Sequence, residues 1–149
     1  MADHGINVSR ADTAVATPNA ATCGIPFVIG TAPLSKATGT AATAGTPVLC
    51  TSYTEAEEQL GYDNDWAKFT VCEVMYYHFK LCACQPVIFL PLAENAEAEA
   101  VAAAVEQVEA CLTMFGIVPD LIMAPGFSKE ATVAAALAAK AGSINGMFS

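Results

Sequence analysis

The sequence predicts an α/β fold, in which one layered domain contains a largely parallel sheet flanked by helices and carries an extended N-terminal arm. Four short segments are apolar throughout, which is typical of strands that are covered on both faces. Amphipathic helical patterns separate these segments, and such alternation favours a parallel sheet with helices on its faces. We therefore expect an arm over residues 1–20 and a single core domain over residues 21–149.

The arm is small and polar, apart from a short alternating pattern. Ile6 and Val8 are separated by polar residues, as in a strand with one apolar face. An isolated terminal strand is stable only when it joins an existing sheet, so the segment is either a frayed tail or an arm that adds to the sheet edge of a neighbour. The residues assigned to this inter-subunit arm are Gly5, Ile6, Val8, Arg10 and Val15.

The core begins with two short predicted strands, Ile25–Thr31 and Val48–Thr51, which a Thr-, Ala- and Gly-rich loop separates. Thr54 and Glu57 then form a predicted capping box, in which the Thr54 hydroxyl accepts from the backbone at Glu57 and the carboxylate reaches back. Gly61 is a natural end for this first helix.

A second predicted capping box, formed by Thr70 and Glu73, starts the next helix. Residues of this helix share an apolar side: Val71, Val74, Met75, His78, Phe79 and Cys82. Pro86–Leu92 and, later in the chain, Pro119–Ala124 are the third and fourth apolar segments, and both are predicted as buried strands.

Asn95 is the predicted cap of the third helix. Apolar residues follow it at helical spacing: Val101, Val105, Val108, Cys111 or Leu112, and Phe115. Gly116 ends this helix. Ser128 is the predicted cap of the last helix, which ends at Gly142 or Gly146. Its inward positions are Val133, Leu137 and Ile144.

Composition narrows the range of partners. Hydrophobic residues make up 54% of the 149 and charged residues only 14%, so we expect part of the surface to contact another molecule. The net charge of −9 and the scattered basic residues oppose nucleic-acid binding. No apolar run approaches the roughly 20 residues that cross a bilayer, and no secretory signal begins the sequence. We expect a chain made in the cytoplasm that binds neither nucleic acid nor membrane.

The six cysteines are predicted to be free thiols, because a chain of this length can build a core and carries no export signal. Cys72, Cys82 and Cys111 fall on predicted apolar faces, where a thiol packs as a small hydrophobe. His78, Cys82 and Cys84 form the single pattern that suggests a metal, but a zinc site needs a paired C-x-x-C and a fourth ligand. We expect no metal and no cofactor.

Catalytic patterns are weak. The segment Pro125–Ser128 loosely resembles a nucleophile elbow, yet Glu130 stands where the second glycine is required. A triad would need His4 or His78, and neither follows a late strand. We therefore expect no enzyme. The alternative that stays open is a small cytosolic α/β enzyme or ligand-binding domain, with a pocket at the strand ends and with Ser128 or Cys84 essential.

Several segments, in order, resemble one known family. They are Cys23–Pro33, Thr46–Ala56, Leu60–Tyr62 with Asp65-Trp66, Thr70–Tyr76, Phe115–Pro119, Ala124–Ser128, and Ala138–Lys140 with Ser143–Gly146. The ordered set is similar to the core domain of contractile bacteriophage tail sheath proteins. Two departures shorten the pattern: only Ala93–Ala100 stands where the family carries a long insertion after Leu92, and no further strand and C-terminal arm follow Gly146.

The resemblance implies a virion structural protein in the sheath of a contractile phage tail or a related injection machine. Such subunits form rings or a helical homo-oligomer around a tail tube, and their arms cross to neighbours and complete their sheets. The tail tube protein and baseplate proteins would be partners, and no cofactor is implied. Gly5, Pro18 and Gly24 would act as hinges. A further alternative is an adaptor that binds another tail component without polymerising.

Overall fold

A four-stranded mixed sheet organises residues 24–146, the part of the chain that the computed structural model describes. Its strands are β1 (Pro26–Thr31), β2 (Val48–Cys50), β3 (Val87–Leu92) and β4 (Leu121–Met123), in the order β2-β3-β1-β4. β1 pairs in parallel with β3 and β4, whereas β2 is antiparallel to β3. The predicted α/β fold with a mostly parallel sheet is confirmed. The predicted arm lies outside the described residues.

Helices flank both faces of the sheet. The α-helices are α1 (Tyr53–Leu60), α2 (Thr70–Met75), α3 (Ala98–Ala104), α4 (Ala110–Phe115) and α5 (Ala131–Gly146). A π-helical turn, Tyr76–Leu81, continues α2, and a 3-10 turn, Val105–Glu109, joins α3 to α4. A further 3-10 turn, Leu34–Lys36, follows β1.

The sheet separates two apolar cores. Phe27 and Ile29 of β1 pack against α3, α4 and α5, whereas Val28, between them, packs against α1 and α2. β3 alternates in the same way, since Ile88 joins the first core and Phe89 the second. Because both faces are covered, successive side chains of these strands are all buried, which explains why the segments are apolar throughout.

The cap of α1 lies two residues before the predicted Thr54/Glu57 capping box. Ser52 Oγ accepts from the backbone N–H of Glu55 at 3.2 Å, and the Glu55 carboxylate accepts from the Thr51 N–H at 2.8 Å. α1 therefore begins at Tyr53, and Thr54 lies inside its first turn. The prediction was wrong in register because Ser52 provides an equivalent hydroxyl before the helix.

The other predicted caps were also wrong. Thr70 is the first residue of α2, and Phe69, which precedes it, makes no side-chain cap. Glu97, rather than Asn95, precedes α3. Ser128 lies in the turn before α5, which begins three residues later. In each case the predicted cap does not stand directly before the helix, so it lies outside the capping position.

Helix ends and core faces were predicted better. Gly61 and Gly116 end α1 and α4, and α5 continues through Gly142 to Gly146. Cys111 rather than Leu112 faces the core. After α2 the predicted apolar face fails at Cys82, which is exposed. The π-helical turn has more residues per turn than an α-helix, so Cys82 rotates out of the expected stripe, although Phe79 stays buried.

A buried lysine fixes α5 against the 3-10 turn. The side chain of Lys140 is only 6% exposed, and its Nζ donates to Glu109 Oε1 at 2.8 Å and to the Glu106 carboxylate. These hydrogen bonds raise the pKa of Lys140 above its ordinary value. The two carboxylates remain exposed to solvent, so the two ion pairs are only a moderate source of stability.

We expect Lys140→Met to lower the free energy of unfolding by about 1 kcal/mol at neutral pH, and the exposed control Lys129→Met to leave it unchanged. Because the folded-state pKa is raised, the contribution of Lys140 is present below the unfolded pKa near 10.4 and is lost as the pH rises through the folded pKa. Urea unfolding at neutral and at strongly alkaline pH measures this. Equal stability of the two variants would contradict the role of Lys140.

Candidate functional site

Open α/β sheets bind ligands at the carboxyl edge of their parallel strands, so this edge is the first candidate site. The chain runs from β1 to β3 on one side and then returns to β4 on the other side of β1, so a crevice would open between β1 and β4. Its borders are Thr31, at the end of β1, and the turn at Ala124–Gly126, after β4.

The side chain of Thr70 fills this crevice. It is 4% exposed and lies against Gly30 and Gly126, where an added Cβ at Gly126 would stand 2.7 Å from Thr70 Cγ2. Thr31 Oγ1 donates to the carbonyl of Lys68 at 2.5 Å and accepts from the Thr70 N–H at 3.2 Å. Within residues 24–146, Thr70 Oγ1 has no hydrogen-bond partner. The start of α2 is thus packed into the position that a ligand commonly takes.

The predicted catalytic candidates do not form a constellation. Ser128 is exposed, and its backbone N–H donates to Ala124 O at 3.0 Å in the turn. His78 lies in the π-helical turn, where burial lowers its pKa and favours the neutral imidazole. His78 Nε2 is buried and, among the described residues, has no hydrogen-bond partner. The imidazole is therefore not hydrogen-bonded through Nε2 to a nucleophile.

The cysteines of the core pack as predicted. Burial raises the pKa of Cys50 to about 12 and those of Cys72 and Cys111 to about 11, so the three thiols stay protonated at neutral pH. Cys84 Sγ donates to the carbonyl of Cys82 at 3.6 Å. The described region contains no group of three or more His, Cys, Asp or Glu side chains that could hold a metal ion.

A second candidate is the free edge of β4. This strand pairs with β1 on one side, and no described strand pairs with its other side. Leu121 is 51% exposed there, although the fourth strand was predicted to be buried on both faces. That prediction was wrong for β4 because the strand is short and lies at the edge, where one flank has no neighbour.

An apolar groove follows this edge. One part, of about 480 Å³, lies between β4 and the last turns of α5, and a smaller part, of about 110 Å³, extends to α4. Both parts share Val118, Pro119 and Ile144, so they form one continuous surface, here called the β4 groove. Leu112, 53% exposed on α4, adds to its apolar wall. Sequence reasoning missed this groove because its walls come from separate elements.

The β4 groove has a fixed base. The Asp120 N–H donates to the carbonyl of Ile25 at 2.9 Å, and the Asp120 carboxylate accepts from the Ile25 N–H at 2.8 Å. These two bonds fasten the start of β4 to the start of β1. Gly24 lies against the same side chain, since a Cβ there would stand 2.8 Å from Asp120 Cβ. Gly24, the first residue that the structure describes, therefore lies next to the groove.

Comparisons with protein families and with curated proteins give no relative. No protein-family model matches the chain, and no curated protein is significantly similar to it in sequence. None of the helices between residues 24 and 146 is both long and apolar enough to cross a bilayer. The features that a function has to explain are thus the closed crevice, the free β4 edge and the apolar groove beside it.

We expect Gly126→Ala to destabilise the fold more than Gly45→Ala. Both glycines have positive φ, 81° and 78°, so alanine costs about 1 kcal/mol of backbone strain at either position. Gly45 faces open space, whereas alanine at 126 also meets the Thr70 methyl group, which adds about 2 kcal/mol.

Thr70→Ser removes that methyl group. In a Gly126→Ala/Thr70→Ser chain it should therefore restore most of the additional free energy of unfolding that Gly126→Ala loses. Urea unfolding of the four chains provides the comparison. If Gly126→Ala and Gly45→Ala lower the free energy of unfolding by the same amount, Thr70 does not fill the crevice.

Proposed function

We propose that the protein is a structural subunit of a contractile phage tail sheath or a related contractile injection machine. Its copies would form rings or a helical polymer around a tail tube by exchanging strands. The observation that carries this proposal is the free β4 edge with the apolar β4 groove beside it. The ordered segments that resemble the sheath family are the reason for proposing this machine. The same resemblance implies tail tube and baseplate proteins as partners and the virion as the location.

The free edge is suited to accept a strand. An unpaired edge offers a row of N–H and C=O groups, and an added strand satisfies them while its alternate side chains enter neighbouring pockets. Ile6 and Val8 are two residues apart, so they would lie on the same face of an added strand. Facing the groove, they would cover apolar surface that includes Leu121 and Ile144.

The position and the length of the arm permit exchange between copies. Gly24 joins the core beside Asp120, and the residues from Ile6 to Gly24 can span up to about 60 Å when extended. Such a length would permit the arm to leave its own core and pair with the β4 edge of an adjacent subunit. Arg10, the only arginine of the chain, would then meet a rim that carries the carboxylates of Glu109 and Asp120.

The core is suited to a mechanical role. Its two buried clusters hold the sheet between helical layers, and Thr70 fills the crevice in which a ligand-binding α/β domain keeps its ligand. A rigid body joined to its neighbours through exchanged strands can rotate within a lattice without breaking the connection. This organisation supports the structural role over the alternative of an enzyme or a ligand-binding domain.

Deletion of residues 1–20 should leave the core folded and abolish self-association. The reason is that the buried residues described for both cores lie in the retained chain, whereas the proposed donated strand does not. Thermal unfolding and light scattering after size-exclusion chromatography measure the two effects. Unchanged association of the truncated chain would contradict the role of the arm.

A complementation experiment separates exchange between copies from folding back of the arm. Leu121→Lys should block acceptance at the β4 edge while leaving the arm able to donate. The chain without residues 1–20 should accept but not donate. Each alone is expected to be monomeric, and an equimolar mixture is expected to form one-to-one pairs. A mixture that stays monomeric would argue against exchange.

The two faces of the arm provide a matched pair of variants. Ile6→Asp with Val8→Asp would place carboxylates in the apolar groove and should weaken association at least 100-fold, since burying an unpaired charge is costly. Asn7→Asp with Ser9→Asp adds the same charge to the opposite face and should preserve association within a few-fold. Sedimentation over a concentration series measures both. Equal effects of the two pairs would mean that net charge, not strand addition, controls assembly.

A further inference from the structure

Three tyrosine rings surround the ammonium group of Lys80 on the α1 and α2 side of the sheet. The Nζ atom lies 3.8 Å from the ring centroid of Tyr53, 5.9 Å from that of Tyr62 and 5.8 Å from that of Tyr76. All three distances are within the range at which a cation is attracted to an aromatic face. We call the three rings the aromatic box.

The walls of the aromatic box support one another. Tyr53 and Tyr62 meet edge to face, with centroids 5.7 Å apart. The ring of Trp66 lies 5.5 Å from that of Tyr76, and its Nε1 donates to the Tyr62 hydroxyl at 3.3 Å. Because Tyr53 contacts Tyr62 directly and Trp66 connects Tyr62 to Tyr76, the three walls are joined without Lys80.

The ammonium group of Lys80 is held differently from those of three other lysines. Lys36, Lys68 and Lys140 form ion pairs with carboxylates. Lys80 is exposed, and within residues 24–146 it makes no ion pair, so the ring faces are what hold its ammonium group. A primary ammonium is strongly hydrated and can return to water at little cost. Its place in the box is therefore open to exchange.

We propose that the aromatic box is a binding site for quaternary ammonium ions, and that Lys80 is a tethered competitor for it. A quaternary ammonium has no N–H groups to keep hydrated, and aromatic cages are suited to such ions. If Lys80 occupies the box nine-tenths of the time, the apparent affinity for an external ion is reduced about tenfold. The box packs against the core opposite the β4 groove, so the proposal stands apart from strand exchange.

The chain contains its own reporter for this site. Trp66 is the only tryptophan and contacts both Tyr62 and Tyr76, so its fluorescence responds to the state of the box. Tetramethylammonium chloride and choline chloride are titrated into the full-length protein, with sodium chloride as the ionic control. Lys80→Ala should give a saturable response at about one-tenth of the concentration that the unaltered chain requires. Lys129→Ala should behave like the unaltered chain.

Adding Tyr53→Leu to Lys80→Ala should abolish the saturable response, because Tyr53 supplies the ring closest to the cation. The proposal is overturned if Lys80→Ala responds no differently from sodium chloride, if its half-saturation equals that of the unaltered chain, or if Tyr53→Leu has no effect. Proton NMR of the unaltered protein gives a readout that needs no variant. The ε-methylene protons of Lys80 should be shifted upfield by the rings and return toward ordinary values with saturating tetramethylammonium; unshifted protons would also overturn it.

Discussion

The pairing of β1 on both of its edges is the constraint on which the rest of the structure depends. β1 lies between β3 and β4 and is buried on both faces, so the centre of the sheet has no surface left for interaction. The two apolar cores form because its side chains alternate between the two helical layers. The surface that can still contact another molecule lies at the periphery of the domain. Its main part follows the outer side of β4, where backbone groups have no described partner.

The side chains around β1 and β4 also close the centre of the sheet and leave its edge open. Thr70 occupies the crevice between β1 and β4, while Leu121 and Leu112 leave apolar surface exposed beside the edge. On the opposite helical layer, the aromatic box holds a cation that belongs to the chain itself. A domain organised in this way provides a rigid support with peripheral contact surfaces, which is the arrangement that the proposed sheath subunit requires.

The sequence was informative wherever local chemistry determines structure. Continuous apolar segments identified the strands, glycines identified the ends of α1 and α4, and helical spacing identified the buried face from Val101 to Cys111. Caps were predicted poorly because the tertiary position of the first turn, rather than the nearest hydroxyl or amide side chain, decides which residue precedes each helix. Cys82 and Leu121 differ from prediction because a π-helical turn and an edge position are not encoded in a short window. The β4 groove depends on residues distant in sequence, and the arm stays a prediction.

The most direct test of strand exchange is an electron cryo-microscopy map of the protein assembled at high concentration. The expected result is a ring or a helical tube in which an additional strand, carrying Ile6 and Val8 from a neighbouring copy, lies along Leu121–Met123. The result that would contradict strand exchange is an assembly in which this edge stays unpaired, or one in which each copy places its first residues back on its own sheet.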